Sequence, residues 1–342
     1  MATTITAAMV KQLRERTGAG MSDCKNALIE ADGDFDKSAE ILAVKLRGKV
    51  ENRSGRIAAQ GSVLTAISED KKSGVIVEVN CQTDFVARGD GFKAFAESAV
   101  KAALASGAAD IAALEAVMVD GKSLKETADE LTGKSGEKHA IRRVARLTSS
   151  GLIASYVHFN SQIAVLVAVE GGSAAAVADE VTLQAASMKP LYLQRSEVSD
   201  EVKAKQRELF AMQIKAEEDD AVAEVEAWKK RMAEEADNVT EAVEKVLADL
   251  EKKAKGLQAR PQQAKDKILE GKINKWFTDV VLLEQPSVKE TKKSVADIIA
   301  DLDKTAKVTH CVRFEVGEGV EKAEVKDFAA EVAEMEAKAA KG

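Results

Sequence analysis

Aromatic side chains are scarce, 4 % of 342 residues, while charged residues reach 31 % and hydrophobic ones 45 %. That mix typifies a helix-rich, soluble, cytosolic protein with enough apolar residues for at least one sizeable core. Cysteine is nearly missing. Cys24, Cys81 and Cys311 are odd in number and far apart, which excludes a disulfide framework and fits reduced thiols. No apolar run approaches the roughly 20 residues that span a bilayer, and the opening Met1-Ala-Thr-Thr-Ile-Thr lacks the basic start of a signal peptide. A cytoplasmic chain with no membrane contact is expected. The net charge of −7 is a mild argument against a dedicated nucleic-acid binder, and no direct nucleic-acid contact is expected.

Chemistry-bearing motifs are missing as well. There is no Gly-x-x-x-x-Gly-Lys-Ser/Thr loop and no Gly-x-Gly-x-x-Gly after a strand, hence no standard phosphate cradle. His139, His158 and His310 are scattered, and neither Cys-x-x-Cys nor His-Glu-x-x-His occurs, so no metal and no cofactor is expected. Cys81 has no neighbouring histidine in the sequence and reads as a small buried thiol rather than a nucleophile. An enzyme is not expected.

What is present is organisation. Ile5, Met9, Val10 and Leu13 recur at helical spacing, and Gly18 and Gly20 end that helix. A second helix is expected from about Ser22 or Asp23, either of which can cap it, with Ala27, Leu28 and Ala31 inward. A third is expected from Phe35 to Leu46, burying Ala39, Ile41, Leu42 and Val44, and the basic stretch 47–56 with Gly48 and Gly55 reads as a linker.

From Gly61 the period changes to two. Residues 62–68 and 75–80 form a hairpin followed by a helix through Phe92, Phe95, Ala96, Val100 and Ala103. A second hairpin, 152–159 and 163–169, is followed by a helix through Val177, Val181 and Ala185. This internal repeat, at a spacing of roughly 88 residues, predicts two related α+β subdomains.

Between 201 and 260 glycine and proline vanish until Gly256. Val225, Trp228, Met232, Ala236, Val239, Val243, Val246 and Leu250 then step by threes and fours, the signature of a helical hairpin or coiled coil. Pro261 suits the first position of a further helix. Residues 280–283 and 308–316 read as strands around a helix at 295–302, and Gly317-Glu-Gly319 as a turn. A last amphipathic helix passes through Phe328, Val332 and Met335.

The expected fold class is thus α+β. It comprises an N-terminal three-helix module with its linker (1–55), a core subdomain (56–146), a second core subdomain in two pieces (147–200 and 278–322), a helical insertion (201–277) and a C-terminal helical module (323–342).

One segment breaks the local rules. After the strand ending at Cys81 the chain reads Gln82-Thr83-Asp84-Phe85-Val86, placing an aromatic where a polar loop or first helical turn belongs. Phe85 either folds back into the core as a staple or projects as an apolar wedge beside a carboxylate, and the pattern admits both. Three functional readings also stay open on the residues alone. They are a coiled-coil scaffold or adaptor, a ubiquitin-binding protein built on the three-helix module, and a thiol enzyme using Cys81.

Longer runs carry a resemblance. Leu13-Arg-Glu-Arg-Thr-Gly-Ala-Gly-Met21 and Glu78-Val-Asn-Cys-Gln-Thr-Asp-Phe-Val86 closely resemble the elongation factor Ts family. Ile141-Arg-Arg-Val-Ala145, Lys189-Pro190, Glu270-Gly271, Glu284-Gln-Pro286 and Arg313-Phe-Glu-Val-Gly-Glu-Gly319 follow in the family's order. The resemblance implies a ubiquitin-associated-like (UBA-like) N-terminal module and a partner, elongation factor Tu, in its GDP-bound and nucleotide-free forms. It implies guanine nucleotide exchange, with Thr83, Asp84, Phe85 and Val86 dislodging magnesium beside the partner's nucleotide. It further places Arg14 and Met21 against the partner's GTPase domain and His158 toward its third domain. One departure is an extended helical insertion at about 215–256, with 13 acidic and 8 basic residues between Lys215 and Lys255. That seam would serve self-association, an extra partner contact, or merely a longer hairpin.

Overall fold

The computed structural model describes residues 4–234 and 240–320; the expected helix through Phe328, Val332 and Met335 lies outside them, as do Ala236 and Val239. The fold is α+β, and the chain divides into two compact units: residues up to Ala186 together with those from Leu302 onward, and Ser187–Asp301.

The first unit opens with three helices, α1 (Ala7–Thr17), α2 (Met21–Glu30) and α3 (Phe35–Ser54). Thr6 caps α1 by accepting from Met9 N, and Asp34 caps α3 by accepting from Asp36 N and Lys37 N. The expected cap at Ser22 or Asp23 is not used: α2 starts at Met21 behind Gly20, with no side-chain cap. Val10, Leu13, Cys24, Ala27, Leu28 and Leu42 form the module's core, whereas Val44 faces outward. The expected linker at 47–56 is also corrected, since α3 runs on to Ser54. Gly48 costs a helix only about 1 kcal/mol and no proline interrupts it, so contact with a later helix, α7 (Leu124–Ser135), is enough to carry α3 onward.

Next come β1 (Gln60–Ile67), β2 (Ser73–Cys81), the single-turn α4 (Asp84–Ala87) and α5 (Asp90–Ser106). They are followed by α6 (Ile111–Glu115), a two-rung hairpin of β3 (Met118–Val119) and β4 (Lys122–Ser123), α7, and β5 (Ala140–Thr148). The sheet order is β1-β2-β5, antiparallel throughout. β2 is central and buried on both faces. Val75, Val77, Val79 and Cys81 meet Phe92, Phe95, Ala99 and Ala103 of α5, while Ile76 faces the other way. Two inward phenylalanines give this layer roughly 1.5–3 kcal/mol each of transfer free energy.

The repeat follows as β6 (Leu152–Val157), β7 (Ile163–Glu170), α8 (Ala174–Met188) and, after the second unit, β8 (Lys307–Glu315), in the order β6-β7-β8. Its true step is 90 residues, visible in details no periodicity shows. Gly61 and Gly151 each lie where a Cβ would strike a carbonyl oxygen of the paired strand, at 2.0 and 2.2 Å. Lys71 and Ser161 both take φ 55° in the hairpin turns, and the ladders slip at Val79 and at Val169. The two sheets pack face to face through Val63, Ile76 and Leu147 on one side and Ile153, Ala164, Leu166 and Ala168 on the other.

The second unit holds α9 (Asp200–Glu234), α10 (Glu241–Gln258), α11 (Gln262–Val280) and α12 (Val295–Leu302, whose last residue falls in the first unit). α9 and α10 form the expected hairpin, around Ala221, Val225 and Ala254 with Leu247, Leu250 and Leu257. Val246 is exposed, because the chain reverses between α9 and α10 and the single seam becomes two facing stripes. Pro261 stands one residue before α11, as its N-cap. The strand expected at 280–283 does not form. Ile273, Phe277 and Val281 share one helical face, so burial extends α11 to Val280, and a 3₁₀ turn follows at Leu282–Glu284. Among the described residues no helix is long and apolar enough to cross a membrane.

Candidate partner-binding tip

The corner after β2 is built from both sides. Thr83 caps α4, its hydroxyl accepting from Val86 N, and Val86 and Ala87 lean on the core beneath. A helix of four residues has no stability of its own. Its outward residues are Asp84 and Phe85. Phe85 is 80 % exposed, which settles the staple-or-wedge alternative in favour of projection. Asp84 pairs with Arg88 at 2.8 Å across one turn, an exposed pair worth at most about 1 kcal/mol. Thr83 and Val86 therefore shape the corner, and Asp84 and Phe85 occupy its surface.

A second segment, 135–139, stitches the corner down. Glu137 accepts from Thr83 N at 2.9 Å through one carboxylate oxygen and from Thr83 Oγ1 at 2.8 Å through the other. Lys138 N donates to Gln82 Oε1 at 3.3 Å. Behind it His139 Nδ1 meets the Glu137 carbonyl at 2.9 Å and His139 N donates to Thr132 Oγ1, with the imidazole against Phe92. Burial pushes the His139 pKa down, so the ring is neutral and Nδ1 carries the proton toward that carbonyl.

Cys81 is fully buried, its thiol donating to the Thr83 carbonyl at 3.2 Å. Burial, reinforced by the Glu137 charge, pushes that thiol up to about 12. A buried thiol held in its neutral form is a poor nucleophile, which weighs against the thiol-enzyme reading. Among the described residues no group of three His, Cys, Asp or Glu side chains is placed to hold a metal ion.

A groove of about 720 Å³ runs beside the corner, lined by Asp84, Ala87, Arg88 and Lys93 on one wall and by Phe159 and Gln162 on the other. Phe159, in the β6–β7 turn, is 90 % exposed. His158 stacks against it with ring centroids 4.5 Å apart and is itself held by Tyr156 Oη at 2.9 Å from Nδ1. The structure thus brings Asp84 and the His158 turn to one groove. Arg14, exposed in the last turn of α1, and Met21, 55 % exposed at the start of α2, lie outside its lining, on the three-helix module.

Two residues escaped the sequence reading. Glu137 is one glutamate in a polar loop 54 positions from its partner, and no local signal marks it. The alternation expects Phe159 at the end of a strand, whereas β6 ends at Val157; the Asn160-Ser161 pair is the signal for a turn.

The family described as Elongation factor TS matches residues 82–318. The elongation factor Ts of Hahella chejuensis is 40 % identical over 329 residues, covering 96 % of this chain and 97 % of its own. That of Clostridium botulinum strain Alaska E43 is 36 % identical over 341 residues (97 % and 99 %), and that of Methylococcus capsulatus 37 % over 330 (96 % and 97 %). With a family match across most of its length and relatives aligned nearly end to end, this chain belongs to the elongation factor Ts family.

Proposed function

We propose that this protein is the guanine nucleotide exchange factor of elongation factor Tu, and that Asp84 and Phe85 are the groups that expel GDP. Family membership supports the partner and the reaction class. The observation that carries the mechanism is a phenylalanine four-fifths exposed on a corner fixed at Thr83. A hydrophobic side chain held out in water by a fixed backbone is suited to enter a pocket of another protein.

In this reading the three-helix module, through Arg14 and Met21, and the β6–β7 turn, through His158, hold the partner. The tip enters beside its nucleotide site. Phe85 wedges between elements of the GTPase domain, and Asp84, released from Arg88 at little cost, competes within the network around Mg²⁺. The cation belongs to the partner's nucleotide, where it bridges phosphate to protein. Disturbing its ligands weakens GDP without touching the base. The nucleotide-free complex persists until GTP enters. No bond is made or broken by this chain.

The test is a stopped-flow release assay with elongation factor Tu carrying fluorescent GDP. Wild-type protein is expected to accelerate release in a concentration-dependent, saturable way. Phe85→Ala, folded by circular dichroism, should lower the saturating rate at least tenfold. Release at the spontaneous rate with wild-type protein would overturn the exchange function. An unchanged saturating rate with Phe85→Ala would remove the wedge.

A further inference from the structure

We infer that Glu137 is a positioning residue for exchange: its carboxylate clamps Thr83 and thereby holds Phe85 in the presenting conformation. The inference rests on the reading of Phe85 as the wedge. It adds a residue that never reaches the partner's nucleotide yet sets how often the wedge is available.

Three features of the geometry lead to it. The clamp is two-armed, one carboxylate oxygen on the Thr83 amide and the other on its hydroxyl, so it fixes both the backbone and the capping side chain at once. What it holds cannot hold itself, because α4 is one turn long and Val86 and Ala87 are its contacts with the core. The clamp is also anchored from behind. Glu137 N donates to Ser135 Oγ, and its carbonyl accepts from Nδ1–H of His139, which is packed on Phe92. A carboxylate committed to one corner, and braced by a buried ring, transmits the rigidity of the α7–β5 connection to the tip.

Losing the clamp releases Thr83 to other rotamers and lets α4 fray, so Phe85 faces the partner only part of the time. The surfaces that hold the partner are elsewhere, so complex formation is untouched and the maximal rate falls with the presented fraction. Glutamine at position 137 should preserve the clamp: its amide oxygen can accept from Thr83 N while its NH₂ donates to Thr83 Oγ1, a hydroxyl able to act either way.

The experiment measures fluorescent GDP release from elongation factor Tu against concentration of the full chain, for wild type, Glu137→Ala, Glu137→Gln, Phe85→Ala and the double variant Phe85→Ala/Glu137→Ala. Glu137→Ala should cut the saturating rate about tenfold, equivalent to about 1.4 kcal/mol. Its half-saturating concentration should stay within twofold, and Glu137→Gln should retain at least a third of the wild-type rate. The double variant should match Phe85→Ala alone, because a residue acting only through Phe85 has nothing left to act on. A merely structural role would add to the Phe85 loss and move half-saturation as well. Should Glu137→Ala not fold, Thr83→Val removes one arm of the clamp and should give an intermediate loss. A wild-type rate there overturns the inference. So does Glu137→Ala within twofold of wild type, or additivity with Phe85→Ala. A wild-type rate with Phe85→Ala defeats the wedge and this inference together, whereas a slow Phe85→Ala beside a fast Glu137→Ala defeats this inference alone.

Discussion

Glu78 is a fully buried carboxylate shared by two arginines, and replacing it by glutamine should cost about 3–5 kcal/mol. Its side chain is fully buried and accepts from Arg142 Nη1 at 2.9 and 3.1 Å, from Arg143 Nε and from Gly317 N at 2.8 Å. Two consecutive arginines reach one carboxylate because the ladder slips there. Glu78 pairs with Arg143 and Val79 with Ile141, leaving Arg142 as the extra residue of a bulge on β5. The same carboxylate ties in the turn after β8, and Arg143 also donates to the Glu315 carbonyl at the end of that strand at 2.8 Å and stacks over Phe314 at 4.2 Å. Glutamine keeps the volume but turns donors toward guanidinium donors and removes the buried charge that both arginines share, leaving Arg143 only its part-exposed pair with Glu318 at 3.3 Å. Breaking a buried pair from one side costs about 3–5 kcal/mol, and a domain of this size loses about 2–4 °C per kcal/mol, so a drop of roughly 6–20 °C is expected. Differential scanning calorimetry is the appropriate measurement. Trp228 and Trp276 both lie in the second unit, so tryptophan fluorescence reports the wrong half of the chain. A shift under 2 °C for Glu78→Gln would refute the reasoning.

Two further outcomes are expected. Phe159→Ala removes an exposed aromatic across the groove from Asp84, so titration calorimetry with nucleotide-free elongation factor Tu should show affinity weakened about tenfold, while the saturating GDP-release rate stays within twofold; unchanged affinity removes that wall of the groove from the interface. Cys81, raised from 9.0 to about 12, favours folding in its neutral form, so its contribution is complete below pH 9 and is lost as pH climbs toward 12. Urea midpoints at pH 8 and 10.5 should therefore fall more steeply for wild type than for Cys81→Ala, and parallel lines would contradict a buried thiol.

Much of the architecture was legible because burial left a clean period. β2 and β7 sit at the centre of their sheets, so both hairpins stood out as apolar runs bounded by polar turns. β5 did not, since three arginines occupy a nine-residue strand whose polar face is satisfied by Glu78 and by the carbonyls of Ala103 and Leu104, contacts remote in sequence. The false strand at 280–283 had the opposite cause: four apolar residues in a row fit a strand or a helix end, and only the placement of Ile273 and Phe277 decides. At the tip, periodicity could not separate a buried Phe85 from a projecting one, because one helical turn offers no pattern. Its support was invisible for a simpler reason, that a clamp between residues 83 and 137 has no local signature.

The rigidity of that corner bears on how the tip can act at all. If this protein lowers the partner's affinity for GDP by some factor, GDP lowers the partner's affinity for this protein by the same factor, and each tenfold is about 1.4 kcal/mol. Burying one phenylalanine yields roughly 1.5–3 kcal/mol, enough by itself for about ten- to a hundredfold of mutual weakening. A flexible tip would lose much of that gain to the ordering of its own backbone and side chain on entry. With Thr83 held through its amide, hydroxyl and carbonyl in the free protein, the backbone share of that ordering is already met, and more of the burial energy of Phe85 can be directed against the bound nucleotide. Antagonism beyond this range has to be supplied by binding surfaces away from the nucleotide. Variants of Met21 or Phe159 should therefore change how much protein is needed, and variants of Phe85 or Glu137 how fast GDP leaves.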